Sequence, residues 1–127
     1  MKQNERYNFT VEVETAFMEE HSIPEDKRFV FIYTISITNN GSVAGTLVRR
    51  HWIITDANNN RQEVHGDGVV GEQPCINPGQ TYQYTSGAVI ETPVGFMEGR
   101  YDFVADDGFE FDSPIPPFSL ATPNTLH

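Results

Sequence analysis

The sequence predicts an all-β fold, a two-sheet antiparallel sandwich of about seven or eight short strands with almost no helix. Apolar and polar residues alternate through most of the chain, and turn-forming pairs separate the alternating segments. No window shows the i, i+3, i+4, i+7 apolar spacing of a helix. Because domains of roughly 100–150 residues are typical, we expect residues 1–127 to form one domain.

The alternation is clearest in FVFIYTISIT and FTVEVETAF, where most second residues are apolar. Successive strand side chains point to opposite faces, so each segment predicts a strand that is buried on one side. VRRHWIITD follows the same pattern, with Arg50 as the one charged residue on the apolar face of Trp52. We expect core positions on adjacent strands for four aromatic residues: Tyr82, Tyr84, Tyr101 and Phe103.

Turn signals separate these segments. NNGS and DDGF carry Asn-Gly and Asp-Gly pairs that tolerate positive φ, and NPGQ predicts a type II turn with Gly79 in the left-handed region. One short helical turn is predicted at SIPED, Ser22–Asp26. The proline-rich tail SPIPPFSLATPNTLH suits an edge strand or an extended segment. We therefore expect the first strand and this tail to be sheet edges.

Charge and cysteine content limit the partners. Eighteen acidic residues against eight basic ones give a formal net charge of −10, which disfavours binding to nucleic acid or to anionic membranes. Cys75 is the only cysteine, so no internal disulfide can form. With no signal-peptide pattern and no long apolar run, this predicts a cytoplasmic protein. No cofactor is predicted.

GDGVVG, Gly66–Gly71, has the G-x-G-x-x-G spacing of dinucleotide-binding loops. That fingerprint needs a helix that begins at the last glycine and presents its N–H groups to a pyrophosphate. EQPCINPG follows instead, so this interpretation is rejected. Two alternatives stay open: an irregular glycine turn, or a nest of backbone N–H groups that binds an anion. The candidate ligand-binding residues are Gly66, Gly68, Gly71, Arg49 and Arg50.

No catalytic residues can be assembled from the sequence, which predicts a protein that is not an enzyme. His51 beside Trp52 is expected on the opposite strand face as an ordinary side chain. His65 and Asp67 are two residues apart and are interpreted as a surface pair. The acidic stretch ADDGFEFD predicts a solvated hairpin tip rather than a Mg²⁺ or Ca²⁺ loop. Metal ligands are left unassigned.

The segment HGDGVVGEQPCINPGQTYQYTSGAVIETPVGFMEGRYDF, His65–Phe103, resembles the signature block of the ApaG family. The upstream YTISITN and RRHWIITD and the tail pattern I-P-x-F-x-L are similar as well. The resemblance implies an immunoglobulin-like or fibronectin-III-like sandwich. It also implies an association with cobalt and magnesium resistance and with diadenosine tetraphosphate metabolism. The same domain occurs in F-box proteins and in a DNA-polymerase-interacting protein, which implies a binding module.

Two functions from different classes follow. The first is a non-enzymatic binding module whose partner is another protein, engaged through a sheet edge or the loops at one end. Pairing of two copies through these edges stays open under this hypothesis. The alternative is a small-ligand sensor that holds a dinucleoside polyphosphate or a divalent metal at Gly66–Gly71.

Overall fold

A computed structural model describes residues 6–123 of the chain. The strands are β1 (Phe9–Phe17), β2 (Phe29–Asn39), β3 (Gly45–Asp56), β4 (Arg61–Asp67), β5 (Cys75–Ile76), β6 (Thr81–Ile90), β7 (Val94–Ala105) and β8 (Glu110–Ala121). Between residues 7 and 122 the helical elements are two 3₁₀ turns, Glu19–His21 and Pro24–Asp26. The second turn confirms the prediction at SIPED, whereas the first was not predicted. Within residues 6–123, no helix is both long and apolar enough to cross a membrane.

The strands form two antiparallel sheets, which confirms the predicted sandwich. One sheet has three strands in the order β1-β2-β6, and the other has five, in the order β4-β3-β7-β8 with β5 paired to β3. The first strand and the proline-bearing tail lie at sheet edges, as the sequence predicts. Residues 110–112 and most of the tail form the single strand β8, while residues 124–127 lie outside the described part of the chain.

The core lies between the sheets and is built from the alternating apolar residues. Trp52 is 2% exposed, and its ring meets those of Tyr101 and Phe118 edge-on at 6.1 and 5.8 Å. The expectation of adjacent strands for the tyrosines was wrong, because Tyr84 lies on β6 and Tyr101 on β7, in opposite sheets. Their hydroxyl groups meet across the core at 2.5 Å, and burial raises the pKa of both.

The turns follow the sequence with one exception. Gly79 and Gly108 have φ of 83° and 87°, as NPGQ and DDGF predict. At NNGS the chain crosses from β2 in one sheet to β3 in the other, and Gly41 is not among the positive-φ glycines of the described residues. Instead, a Cβ at Gly41 would lie 2.1 Å from the Arg6 carbonyl oxygen, so close backbone approach requires the glycine.

Candidate functional site

The glycine-rich loop is a tight hairpin that follows β4. Val69 and Glu72 exchange two backbone hydrogen bonds of 2.8 and 3.0 Å around Val70 and Gly71, whose φ values are 50° and 80°. Left-handed φ at both central residues is the signature of a type I′ turn. The chain continues into β5 rather than a helix, which confirms that the dinucleotide interpretation was correctly rejected.

Three backbone N–H groups of this hairpin already have acceptors. The Gly68 N–H donates to the Val48 carbonyl at 2.8 Å, and those of Val69 and Glu72 donate to each other's carbonyl oxygens. Gly68 has a φ of 60°, and a Cβ there would lie 1.9 Å from the Glu72 carbonyl oxygen. Chain geometry alone therefore accounts for Gly68. Binding of an anion at Gly66–Gly71 stays a prediction.

Arg50 bonds the loop directly, whereas Arg49 is paired with an acidic residue of the neighbouring strand. The Arg50 guanidinium lies against Gly66, where a Cβ would sit 2.6 Å from Nη1. Nη1 donates to the carbonyl oxygens of Asp67 and Gly68 at 3.2 and 2.9 Å. Arg50 thus bonds the loop backbone itself. Arg49 pairs at 3.4 Å with the carboxylate of Asp102 on the neighbouring strand, and Gly71 lies at the exposed tip of the hairpin.

The outer face of the five-stranded sheet carries a group that the sequence interpretation missed. The strand register places His65 beside His51, and His51 beside Arg100. The imidazole rings stack at 4.2 Å, and His51 Nε2 lies 3.1 Å from Glu63 Oε2. His65 Nε2 lies 3.7 Å from the same oxygen. The hydrogen bond to His51 is the main cause that holds the pKa of Glu63 below its ordinary value.

A shallow cleft of about 420 Å³ adjoins this group. It is lined by Arg49, Arg50, His51, His65, Gly66, Asp67, Arg100 and Asp102. Two of its arginines, Arg49 and Arg100, bond the same carboxylate, Asp102, at 3.4 and 3.3 Å. A polyphosphate in the cleft would have to compete with the Asp102 carboxylate for both of these guanidinium groups.

A third feature is the outer edge of β6. Asn39 N–H donates to the Gln80 carbonyl, which fixes the hydrogen-bonded register between β2 and β6. Backbone groups alternate in direction along an antiparallel strand, so every second residue of β6 turns its N–H and C=O away from β2. These residues are Thr81, Gln83, Thr85, Gly87 and Val89. Within residues 6–123, β2 is the only strand that pairs with β6.

Two other edge strands, β8 and β1, carry residues that hinder pairing with another chain, whereas β6 does not. β8 carries Pro114, Pro116 and Pro117 along its length, and β1 carries Glu12 and Glu14. Prolines and charges are the usual devices that prevent edge strands from pairing with other chains. β6 reads TYQYTSGAVI over ten residues and contains no charge and no proline. Its backbone is therefore the most open template for an added strand among these three edges.

These features define an antiparallel β-sandwich of the immunoglobulin and fibronectin-III type, in which the edge strand β6 carries neither charge nor proline. A family model described as the ApaG domain matches residues 19–105, and the chain belongs to this family. It is 53% identical to Protein ApaG of Azoarcus sp. (strain BH72) and to Protein ApaG of Methylobacillus flagellatus, over the full length of each. It is also similar to the crystal structure of a Bordetella pertussis protein described as ApaA. That similarity has a TM-score of 0.92 and 46% identity, covering 95% of this chain and 98% of the other. These names are not enzyme names.

Proposed function

We propose that this domain is a non-enzymatic binding module that takes up an extended segment of a partner protein along β6. The carrying observation is the run of outward-facing backbone groups from Thr81 to Val89, uninterrupted by proline or charge. In strand addition, main-chain hydrogen bonds supply affinity, and alternate side chains supply specificity. This function needs an edge strand and a rigid sandwich behind it, and it needs no catalytic group.

The facing sheet supports a strand at this position. Gln62, near the start of β4, places its Nε2 3.5 Å from the Val89 carbonyl oxygen. At the other end of β6, the Tyr82 hydroxyl donates to Glu72 Oε1 at 2.9 Å. β4 and the glycine hairpin therefore flank the open edge at both ends. An added strand would lie between these flanks as the fourth strand of the smaller sheet, and it would displace the long Gln62 contact.

Charge restricts the segment that this edge would accept. β6 itself is uncharged, while Glu72 stands at one end and the whole chain carries a formal charge of −10. Opposite charge speeds encounter and like charge disfavours wrong partners. We therefore expect the bound segment to be extended, apolar on alternate residues and flanked by Lys or Arg rather than by carboxylates.

Thr85 allows a matched test, because its N–H points away from β2 and its hydroxyl contacts Thr34 Oγ1 at 2.9 Å. Thr85→Pro removes an outward N–H and blocks the edge without removing a bond to β2. Thr85→Val removes the hydroxyl contact but keeps the N–H. Gln83→Pro repeats the block one pair away, in case Thr85→Pro fails to fold.

The experiment compares these variants as bait in a bacterial lysate, with folding checked by circular dichroism. A partner retained by the parent chain and by Thr85→Val, but lost with Thr85→Pro or Gln83→Pro, supports strand addition. A partner retained equally by all four proteins contradicts it. Sedimentation velocity on the purified chain shows whether the chain associates with itself. If Thr85→Pro and Gln83→Pro abolish such self-association, the added strand comes from a second copy of the chain rather than from a different protein.

Three narrower predictions remain open beside this proposal. The first is the sensor alternative, in which Gly66–Gly71 binds a dinucleoside polyphosphate or a divalent metal. Localised, saturable amide shifts at those residues on addition of diadenosine tetraphosphate, ATP or a metal ion would favour it. The association with cobalt and magnesium resistance is implied by the family and could act through a partner. Cytoplasmic location rests on the lone Cys75 and the sequence pattern.

A further inference from the structure

His51, Glu63 and His65 converge on the outer face of β3 and β4. Their ligand atoms, one from each residue, all lie within 4.8 Å of one another. In a tetrahedral zinc site, bonds of about 2.0–2.1 Å place ligand atoms roughly 3.3 Å apart. The separations from Glu63 Oε2, 3.1 Å to His51 and 3.7 Å to His65, are close to that spacing.

We infer that these three residues form a binding site for a first-row divalent transition metal of the Zn²⁺ class. The two imidazoles are borderline ligands, so this set of two nitrogens and one carboxylate oxygen suits Zn²⁺, Ni²⁺ or Cu²⁺ better than Mg²⁺ with its all-oxygen preference. The side chains of Glu63 and His65 are 61% and 67% exposed, whereas that of His51 is 15% exposed. The site is therefore open to solvent, and water or a further ligand would complete the coordination.

The strand register explains why these side chains meet. His51 and His65 are directly opposite in the β3–β4 pair, where Cβ atoms are about 5 Å apart. Glu63 precedes His65 by two residues and so shares its face. The ligands thus project from a paired β-hairpin rather than from a mobile loop, and small side-chain rotations would turn the stacked rings toward one ion.

Arg100 competes with the metal for His51. Its Nη1 lies 3.3 Å from His51 Nδ1, and because an arginine only donates, Nδ1 accepts and the ring proton of neutral His51 sits on Nε2. A metal on Nε2 takes the place of that proton, which must then occupy Nδ1. Arg100 would have to withdraw toward its second partner, Asp102, at 3.3 Å. Removal of Arg100 should therefore strengthen metal binding.

The test is isothermal titration of Zn²⁺ into the untagged full chain, with Mg²⁺ in large excess as a competitor. We expect one saturable site that Mg²⁺ does not occupy. His65→Ala should weaken binding about tenfold or more, and Glu63→Gln should weaken it severalfold. His21→Ala, at an exposed histidine of the first 3₁₀ turn, is the matched control and should change nothing. Arg100→Ala should tighten binding about threefold or more, since it removes the donor from Nδ1.

Absence of saturable Zn²⁺ binding would overturn the site, as would equal affinity of His65→Ala and the His21→Ala control. Efficient displacement by Mg²⁺ would overturn the assignment of metal class. Unchanged affinity in Glu63→Gln would overturn the three-ligand assignment. Because His65 is exposed on an edge strand, we expect its variant to fold, and thermal melting without metal checks this. The outcome is independent of strand addition at β6.

Discussion

The edges formed by β6 and β8 show how one sandwich can protect one edge strand with prolines and leave another without them. At the end of β7, the Ala105 N–H donates to the Phe109 carbonyl oxygen just before β8. This register turns the backbone nitrogen of Pro114 toward the outer edge, where it has no N–H to offer. Pro116 and Pro117 follow where the register shifts between Met97 and Gly99 on the neighbouring strand. β6 is of similar length, ten residues against twelve in β8, but contains no proline. The difference indicates that edge protection is placed selectively.

The greatest loss of stability is expected at the hairpin that flanks β6. Gly68→Val should lower the free energy of unfolding by about 3–5 kcal/mol, since valine is strained at positive φ and its Cβ would collide with the Glu72 carbonyl. Gly71→Ala has the same sign of φ but open space around the new Cβ, so it should cost only about 1 kcal/mol. Urea unfolding measures both, and equal costs would contradict the described hairpin.

The second effect tests the alternation of backbone direction within β6 itself. Ser86 is in the hydrogen-bonded register with Tyr33, so Ser86→Pro should cost about 3 kcal/mol. Thr85→Pro, one residue earlier, should cost less than about 1 kcal/mol because its N–H faces outward. Chemical denaturation of the two variants decides the matter. A Thr85→Pro variant as unstable as Ser86→Pro would show that the edge is assigned to the wrong residues.

A smaller effect comes from restoring an N–H to the protected edge. Pro114→Ala should destabilise the chain by about 0.5–1 kcal/mol, mainly because the unfolded chain gains conformational freedom. If β6 is the binding edge, capture of the partner by Pro114→Ala should equal that of the parent chain. Increased or altered capture would place the binding edge at β8 instead.

The smallest effect is a pH dependence at the turn between β7 and β8. The Tyr7 hydroxyl donates to Asp107 at 2.5 Å, and this bond is the main cause that holds the pKa of Asp107 below its ordinary value. Ionised Asp107 therefore stabilises the folded chain. This contribution to the free energy of unfolding is complete above the pKa that Asp107 has in the unfolded chain, and it is lost as pH falls through the lower pKa of the folded chain. Asp107→Asn should flatten this acid-side slope in thermal melts. A slope unchanged by the substitution would contradict the assignment.

Much of the fold could be predicted because burial imposes period-two alternation on nearly every strand. The pattern cannot tell which sheet a strand joins, so Tyr84 and Tyr101 were assigned to adjacent strands although they face each other across the core. NNGS likewise has the local sequence of a hairpin turn, but it connects strands in different sheets. Sheet membership depends on long-range packing that local patterns do not encode.

The candidate sites were less predictable. Glu63 was overlooked because a single acidic residue on a strand has no motif, yet counting outward from the DANNNR turn places His65 opposite His51 and Glu63 on the same face. The openness of β6 could not be inferred, because its sequence fits a central strand equally well. Only the sheet order shows that β6 lies at an edge.

Amide hydrogen exchange along β6 measures which of its backbone N–H groups are free to pair with an added strand. In the isolated chain, we predict fast exchange at Thr81, Gln83, Thr85, Gly87 and Val89 and slow exchange at the residues between them. With the captured partner added, the fast set should become protected while the slow set changes little. Protection that appears instead along β8 or at Gly66–Gly71, with the fast set of β6 unaffected, would contradict the account.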